Sequence, residues 1–400
     1  METTTVPTKS SAVSEITKRL RANVQTYALV LALVVIWFFF YVATNGVYLS
    51  AQNFSNLFRQ MTVTAILSIG MVLVIVTGNI DLSVGRLAGF VSVVVAQLQA
   101  NTWHQLFPDS PLLTTTILSI LVGLLVGTLY GVLQGYIISY LRVASFIVTL
   151  GSMWILNGLI LLITAGKTIP ANQPLFSTIG QGYLPDWAGW ALALLVVVLL
   201  FISMLSSRRR KVKFGFELPP LYMDLAKTIF FCALVVGYVF YVNQYQGVQV
   251  PVLILAVLAV TVSYISSNTR FGRYAYAIGG NREAARLSGI NIKNNIFMVF
   301  VLMGFLCAVS GIVLASYVGY GTIAAGTSYE LFAIAACILG GTSTLGGEGT
   351  IFGAMVGALI MASLQNGLQV MNVAAAYQYV LTGLVLVLAV LADVYLKRNK

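Results

Sequence analysis

Residues 61–100 read MTVTAILSIGMVLVIVTGNIDLSVGRLAGFVSVVVAQLQA: an apolar run, a glycine-rich polar break and a second apolar run. The first run is apolar on every side and approaches the roughly 20 residues that a helix needs to cross a bilayer. GNIDLSVG (78–85) then places an aspartate between two glycines where the chain turns back. Backbone freed by such a break has no partner in lipid, so it must bond to protein or line a wet cavity.

The rest of the chain repeats the theme. Over 400 residues it is 59% hydrophobic and 8% charged, against roughly 45–50% and 25% in a soluble domain. Twelve apolar segments are expected, at about 27–44, 61–78, 84–100, 113–138, 143–164, 189–206, 225–242, 250–266, 296–318, 331–346, 351–367 and 377–395. The fold class is therefore an all-α polytopic membrane protein, with about ten core helices plus one extra hairpin at 189–245. A barrel, with its ten-residue alternating strands, is excluded.

Lysine and arginine sort onto alternate joints. With a cytoplasmic N-terminus, the inner side holds Lys9, Lys18, Arg19, Arg21, Arg86, Arg142, the run RRRKVK (208–213), Lys227, Arg270, Arg273, Arg282, Arg286, Lys293, Lys397, Arg398 and Lys400, and the outer side only Arg59 and Lys167. This asymmetry puts both termini in the cytoplasm, residues 1–26 and 396–400 being tails. It also accounts for the +11 net charge without nucleic acid, because the basic residues are spread along membrane edges as solvated charges. The first apolar run lacks a small-residue cleavage site, so it reads as an uncleaved span.

Catalytic and metal chemistry have little material. The cysteines Cys232, Cys307 and Cys337 lie singly in apolar runs, and His104 is the sole histidine. Neither a disulfide framework, a metal cluster nor a Ser-His site follows. AGKT (165–168) resembles a phosphate-loop ending, but Leu161 stands where the loop needs glycine. No cofactor and no enzymatic activity are expected in this chain.

A second break, GGTSTLGGEG (340–349), mirrors the first in direction, suggesting two related halves. Asp81 and Glu348 sit in these breaks, and capping of the following helices is preferred over direct substrate contact. Glycine recurs every fourth residue at Gly123, Gly127, Gly131 and Gly135, and again at Gly349, Gly353 and Gly357. Such ladders let two helix backbones approach closely.

The segment AIGGNREAARLSGI (277–290) is polar and self-punctuated. Asn281 is a good N-cap, Glu283 suits the first turn, Ala284 and Ala285 favour helix, Arg286 suits the last turn and Gly289 is the stop. A helix this short is marginal alone and must dock on something. The docking surface is either this protein's own cytoplasmic face or a soluble partner.

The run TRFGRYAYAIGGNREAARLSGI (269–290) resembles the coupling loop of the membrane subunits of ABC-type ribose, xylose and arabinose importers. GNIDLSVG, SFIVTLGSM (145–153) and GGTSTLGGEGTIFGAMVGALIMASLQNGL (340–368) are similar to other recurrent blocks of that family. The resemblance implies a single permease domain over 27–395 with a coupling loop at 267–295. It also implies a second permease copy, a separate ABC ATPase subunit, a periplasmic sugar-binding protein and a bacterial inner-membrane location. The extra hairpin resembles the xylose-type branch, pointing to a pentose.

ATPase coupling then falls on Gly280, Asn281, Glu283, Ala284, Ala285, Arg286 and Gly289. Candidate pathway groups are Ser68, Thr77, Asn79, Asp81, Thr149, Asn157, Thr342, Ser343, Glu348, Gln365 and Asn366, of which a minority are expected to touch sugar. The family usually has a small residue where Arg86 stands. A proton-coupled secondary sugar transporter and an ABC importer of another small polar solute remain open alternatives. An intramembrane hydrolase lacks the paired aspartates or Ser-His site it needs.

Overall fold

The computed structural model describes residues 24–398 apart from Pro108, Glu217 and Pro219. The N-terminal tail up to residue 23 and the last two residues lie outside the described residues. Helix α1 (Val24–Ala43) leads through a short 3₁₀ turn to α2 (Ala51–Val76), and α3 (Val84–Gln97) follows the first break. α3 continues through a π turn into α4 (Trp103–Leu106), past the expected end at 100. Then come α5 (Leu112–Ser139), α6 (Ser145–Thr164), strand β1 (Ile169–Pro170), α7 (Pro174–Gln181), α8 (Asp186–Lys213), α9 (Leu221–Val242) and α10 (Val250–Asn268). The polar loop holds α11 (Arg270–Gly280) and α12 (Arg282–Leu287), and the chain ends with α13 (Ile292–Val318), β2 (Tyr320–Gly321), α14 (Tyr329–Leu339), α15 (Ile351–Val370) and α16 (Ala375–Arg398).

Each of the twelve expected segments meets a helix, and eight helices among the described residues are long and apolar enough to cross a membrane. α14 is shorter than its segment, because the expected span at 331–346 stops at Gly340, and Gly341 takes a left-handed φ of 89°. At about 1.5 Å per residue neither α3 nor α14 alone spans a 30 Å hydrocarbon layer.

α2 is the axis of the molecule. Every residue from 61 to 77 is buried, as an all-round apolar helix requires. α13 runs against it, with the Ser310 hydroxyl donating to the Val63 carbonyl at 3.1 Å, and α14 adds a Cys337 thiol contact to the Ser68 carbonyl at 3.3 Å. Two polar side chains in the buried stretch of α2 bond within their own helix: Thr62 donates to Phe58 O and Ser68 to Thr64 O. The two short strands pair antiparallel at the end of the bundle opposite the polar loop.

The glycine ladder of α5 lies on α13. A Cβ on Gly127 would come 2.6 Å from Ala308 Cβ and 2.9 Å from Gly304 O, and one on Gly131 would reach Phe300 O at 2.5 Å. Gly123 faces Ile312 and Gly135 faces Phe297 and Phe300. On α15, Gly353 abuts Gly340 O, Gly357 abuts Ala336 O, and Gly349, before that helix, meets Thr342. Even alanine is tight at Gly127, so Gly127→Leu is expected to cost more than the about 1–3 kcal/mol of ordinary overpacking. Size-exclusion of detergent-solubilised protein should show a severalfold loss of monodisperse material, while Gly151→Leu, with nothing within 4 Å, behaves as wild type.

The extra hairpin, α8 and α9, packs on the bundle through a cluster at one end and through Phe231 of α9, whose ring meets Phe352 of α15 with centroids 6.5 Å apart. Ala193, Val239, Val242 and Val248 cluster beside Phe54 and Tyr238, and the Tyr238 hydroxyl donates to Gln249 Oε1 at 2.6 Å. At the other end Arg208 forms an ion pair with Asp224 across the hairpin. Arg208 is thus a partnered charge, correcting its reading as a solvated one. Arg86 also departs from its expected place at an inner joint. Its Nη1 donates to the carbonyls of Ile323 and Ala325 at 3.0 and 3.2 Å, in the turn just after β2.

Candidate coupling site and pathway elements

The loop 269–291 is built from local signals. The Thr269 hydroxyl caps α11 by accepting the Gly272 N–H at 3.3 Å. Asn281 ends α11 and caps α12, its Oδ1 accepting from the Ala284 N–H at 2.9 Å. At the other end Gly289 takes φ 80°, with its N–H on Arg286 O and the Ile290 N–H on Ala285 O. This double bond pattern closes a helix on a left-handed residue. Glu283 and Arg286 pair on the surface at 2.5 Å, which raises Arg286 above its ordinary pKa.

α12 turns a single side chain inward. Ala285 is 4% exposed, whereas Arg282, Glu283, Ala284, Arg286 and Leu287 are open, Leu287 at 76%. The helix therefore docks on its own subunit through Ala285 and leaves an apolar leucine in water.

The loop is joined to both breaks through backbone. The Gly347 N–H donates to the Val76 carbonyl at 2.9 Å, tying the second break to the end of α2. Gly279 lies against that same carbonyl and against the Gly347 nitrogen, so closely that a Cβ there would overlap both. A Cβ on Gly347 would lie 2.8 Å from Gly280 Cα. The Tyr276 hydroxyl donates to Gly349 O at 2.8 Å, and burial pushes its phenol pKa up. Asn295 of α13 donates to Phe271 O at 2.9 Å. Gly279 is absent from the residues assigned on sequence. The doublet Gly279–Gly280 carried the signal, but neither its contact with Val76 nor that with Gly347 is local.

The breaks hold their polar groups in place. Asp81 Oδ1 accepts from the Ser83 N–H at 2.8 Å and the Ser83 hydroxyl at 2.6 Å, and Gln134 of α5 donates to that hydroxyl at 2.7 Å. Ser83 occupies the N-cap position, so Asp81 braces the cap residue and is not the cap itself. Thr77 donates to Val74 O and Thr149 to Ser145 O, and Asn79 donates to Thr77. In the second break the cap of α15 is Thr350, which accepts the Gly353 N–H at 3.0 Å. Glu348 is exposed and caps nothing, because its carbonyl and not its carboxylate is used, accepting from Ser343 N. The buried Thr342 Oγ1 has no hydrogen-bond partner among the described residues.

The other expected pathway residues are scattered. Ser68 is buried in the core against α14. Asn366 belongs to an amide cluster with Asn53 and Gln60 between α15 and α2. Asn157 and Gln365 are half-buried on α6 and α15. Asn79, Arg142, Ser145, Arg282, Arg286 and Lys293 do meet, around a cleft of about 650 Å³.

At Asp81 the bonding gives an ordered series. Asparagine keeps an acceptor for Ser83, whereas leucine strands two buried donors at about 1–3 kcal/mol each. Asp81→Asn is expected to retain most of the thermal stability and Asp81→Leu to lose several degrees, read from unfolding in detergent.

Comparison with known proteins follows the same lines. Residues 53–390 match the family described as the permease component of the branched-chain amino acid transport system. The chain belongs to this permease family. It is 41% identical over 377 residues to the xylose transport system permease protein XylH of Haemophilus influenzae, covering 94% of this chain and 98% of that one. Against XylH of Escherichia coli the identity is 40%, covering 94% and 93%. The ribose import permease protein RbsC of Haemophilus influenzae is 31% identical over 360 residues, 89% of each chain. No solved structure matches the chain. The permease is thus a multi-pass membrane protein of a sugar-importer type.

Proposed function

We propose that the chain forms the translocation pathway of an ATP-driven importer of a pentose, with xylose the first candidate, in a bacterial inner membrane. The observation that carries this reading is the three-way junction of Val76, Gly279 and Gly347, which links a surface helix to both breaks. A rigid push on α12 is transmitted there without side-chain play. The likeness to xylose permeases along nearly the whole chain supports the substrate class.

The ATPase subunit docks on the open face of α12, contacting Glu283, Ala284, Arg286 and Leu287, with Gly280, Asn281 and Gly289 shaping the helix. A periplasmic sugar-binding protein delivers from the opposite end, and two copies of this chain enclose the path. Nucleotide chemistry stays on the partner, and this chain requires no cofactor of its own. ATP-dependent closure of the partners shifts the two halves between inward and outward states.

The test is reconstitution in proteoliposomes with the ATPase and the binding protein. Xylose uptake that needs ATP and both partners supports the reading. Uptake driven by a proton gradient without the ATPase makes the chain a secondary transporter, and ATP-driven uptake of another solute alone reassigns the substrate.

A further inference from the structure

α3 shows the bundle exterior one narrow face. From Val84 to Gln97 the residues not fully buried are Arg86, Phe90, Val94 and Gln97, a single stripe at helical spacing. Elsewhere an open stripe has lipid chemistry: α5 presents Leu121, Leu125, Leu129 and Leu133 at 54–57% exposure. A stripe bearing a guanidinium does not suit hydrocarbon.

Arg86 also lies deep. Gly311 of α13 packs against Ala88 O, which places this part of α3 about 10 Å from the Val318 end of α13 at 1.5 Å per residue. Arg86 is farther in still. One Arg86 nitrogen is held by the Ile323 and Ala325 carbonyls, and its other N–H groups have no partner among the described residues. Against the neighbouring Gly85 stands Glu330, 9% exposed, whose Oε2 has no hydrogen-bond partner among the described residues. The two charges form no ion pair within 4 Å. The turn carrying Ile323, Ala324 and Thr327 is itself open.

A free donor fork, an orphan acceptor and an aromatic ring one turn away are thus brought together on a face unsuited to lipid. An anion is disfavoured by Glu330 and a cation by Arg86. A neutral ring rich in hydroxyls satisfies both, accepting from the guanidinium, donating to the carboxylate and laying C–H groups on Phe90. Resting on the importer reading above, we infer that Arg86, Phe90 and Glu330 form a sugar-hydroxyl station on the water-filled wall of the pathway. In the present conformation Gly85 and the turn 322–328 shut Glu330 away; their parting opens it to the sugar.

The experiment uses the full complex in proteoliposomes, in a Cys232→Ser background whose other cysteines are buried. Arg86→Cys is probed with a charged methanethiosulfonate, with Leu125→Cys as the lipid-facing control. Modification at least tenfold faster at 86, slowed severalfold by xylose with loaded binding protein, is expected. In parallel, Arg86→Ala should cut uptake at least tenfold, Arg86→Lys recover part of it, and Glu330→Gln lower it with the fold intact. A rate equal to that of Leu125→Cys would overturn the aqueous face, and modification unaffected by sugar would overturn the station. If the wild-type complex takes up no pentose, the importer reading fails instead, and the labelling rate still decides whether this face is wet.

Discussion

Gly279→Ala is expected to abolish uptake by the reconstituted complex while leaving the membrane helices folded. The added methyl would overlap the Val76 carbonyl oxygen and the Gly347 nitrogen, so the loop must lift off both breaks. Neither obstacle is a flexible side-chain tip, and backbone of two different elements cannot both yield cheaply. The Gly347 bond to Val76 is lost with the contact, at about 0.5–1.5 kcal/mol for the bond alone. On the coupling proposed above, the larger consequence is mechanical: α12 would still bind the ATPase, but its movement would no longer reach α2 and the second break. ATPase activity should persist and cease to respond to loaded binding protein. Gly237→Ala on α9, where nothing lies within 4 Å of the new atom, is the control and should transport near normally. Wild-type uptake by Gly279→Ala would show that the junction does not transmit motion.

The second large effect is expected at Leu287. It is 76% exposed on α12 and is the bulkiest apolar side chain there. An exposed leucine on a helix anchored through another residue is spare surface for a partner, and a carboxylate at that point would be desolvated without a counter-charge on docking. Leu287→Asp should therefore reduce ATPase co-purification at least tenfold and abolish uptake, with unchanged thermal stability of the permease alone. Ala285→Asp should act differently, because Ala285 is 4% exposed against its own subunit; it damages the seating of α12 and lowers stability first. Full co-purification by Leu287→Asp would place the partner on another surface.

The capped helix at 281–289 was legible because its determinants are local. Asn281 bonds three residues ahead and Gly289 needs only its own φ, so residue type and order suffice. The same holds for the positions of the apolar segments, since burial of backbone in lipid demands runs of helix whatever packs beside them. Glycine spacing likewise signals close helix contacts without specifying which helix is the partner.

What the tertiary structure alone decided is which side of each element faces which neighbour. An all-round apolar helix such as α2 carries no periodicity from which to read a face, so its contacts with Ser310 and Cys337 had no sequence signature. Glu348 matched the chemistry of a cap, yet Thr350, two residues on, took the position because the glycines around it set the turn. Asn366 was polar in a span and proved to bond Asn53, 313 residues away. The burial of Ala285, the contacts of Gly279 and the placement of Arg86 near Glu330 follow the same rule. Their roles arise from the register between helices distant in the chain, and register is set by packing.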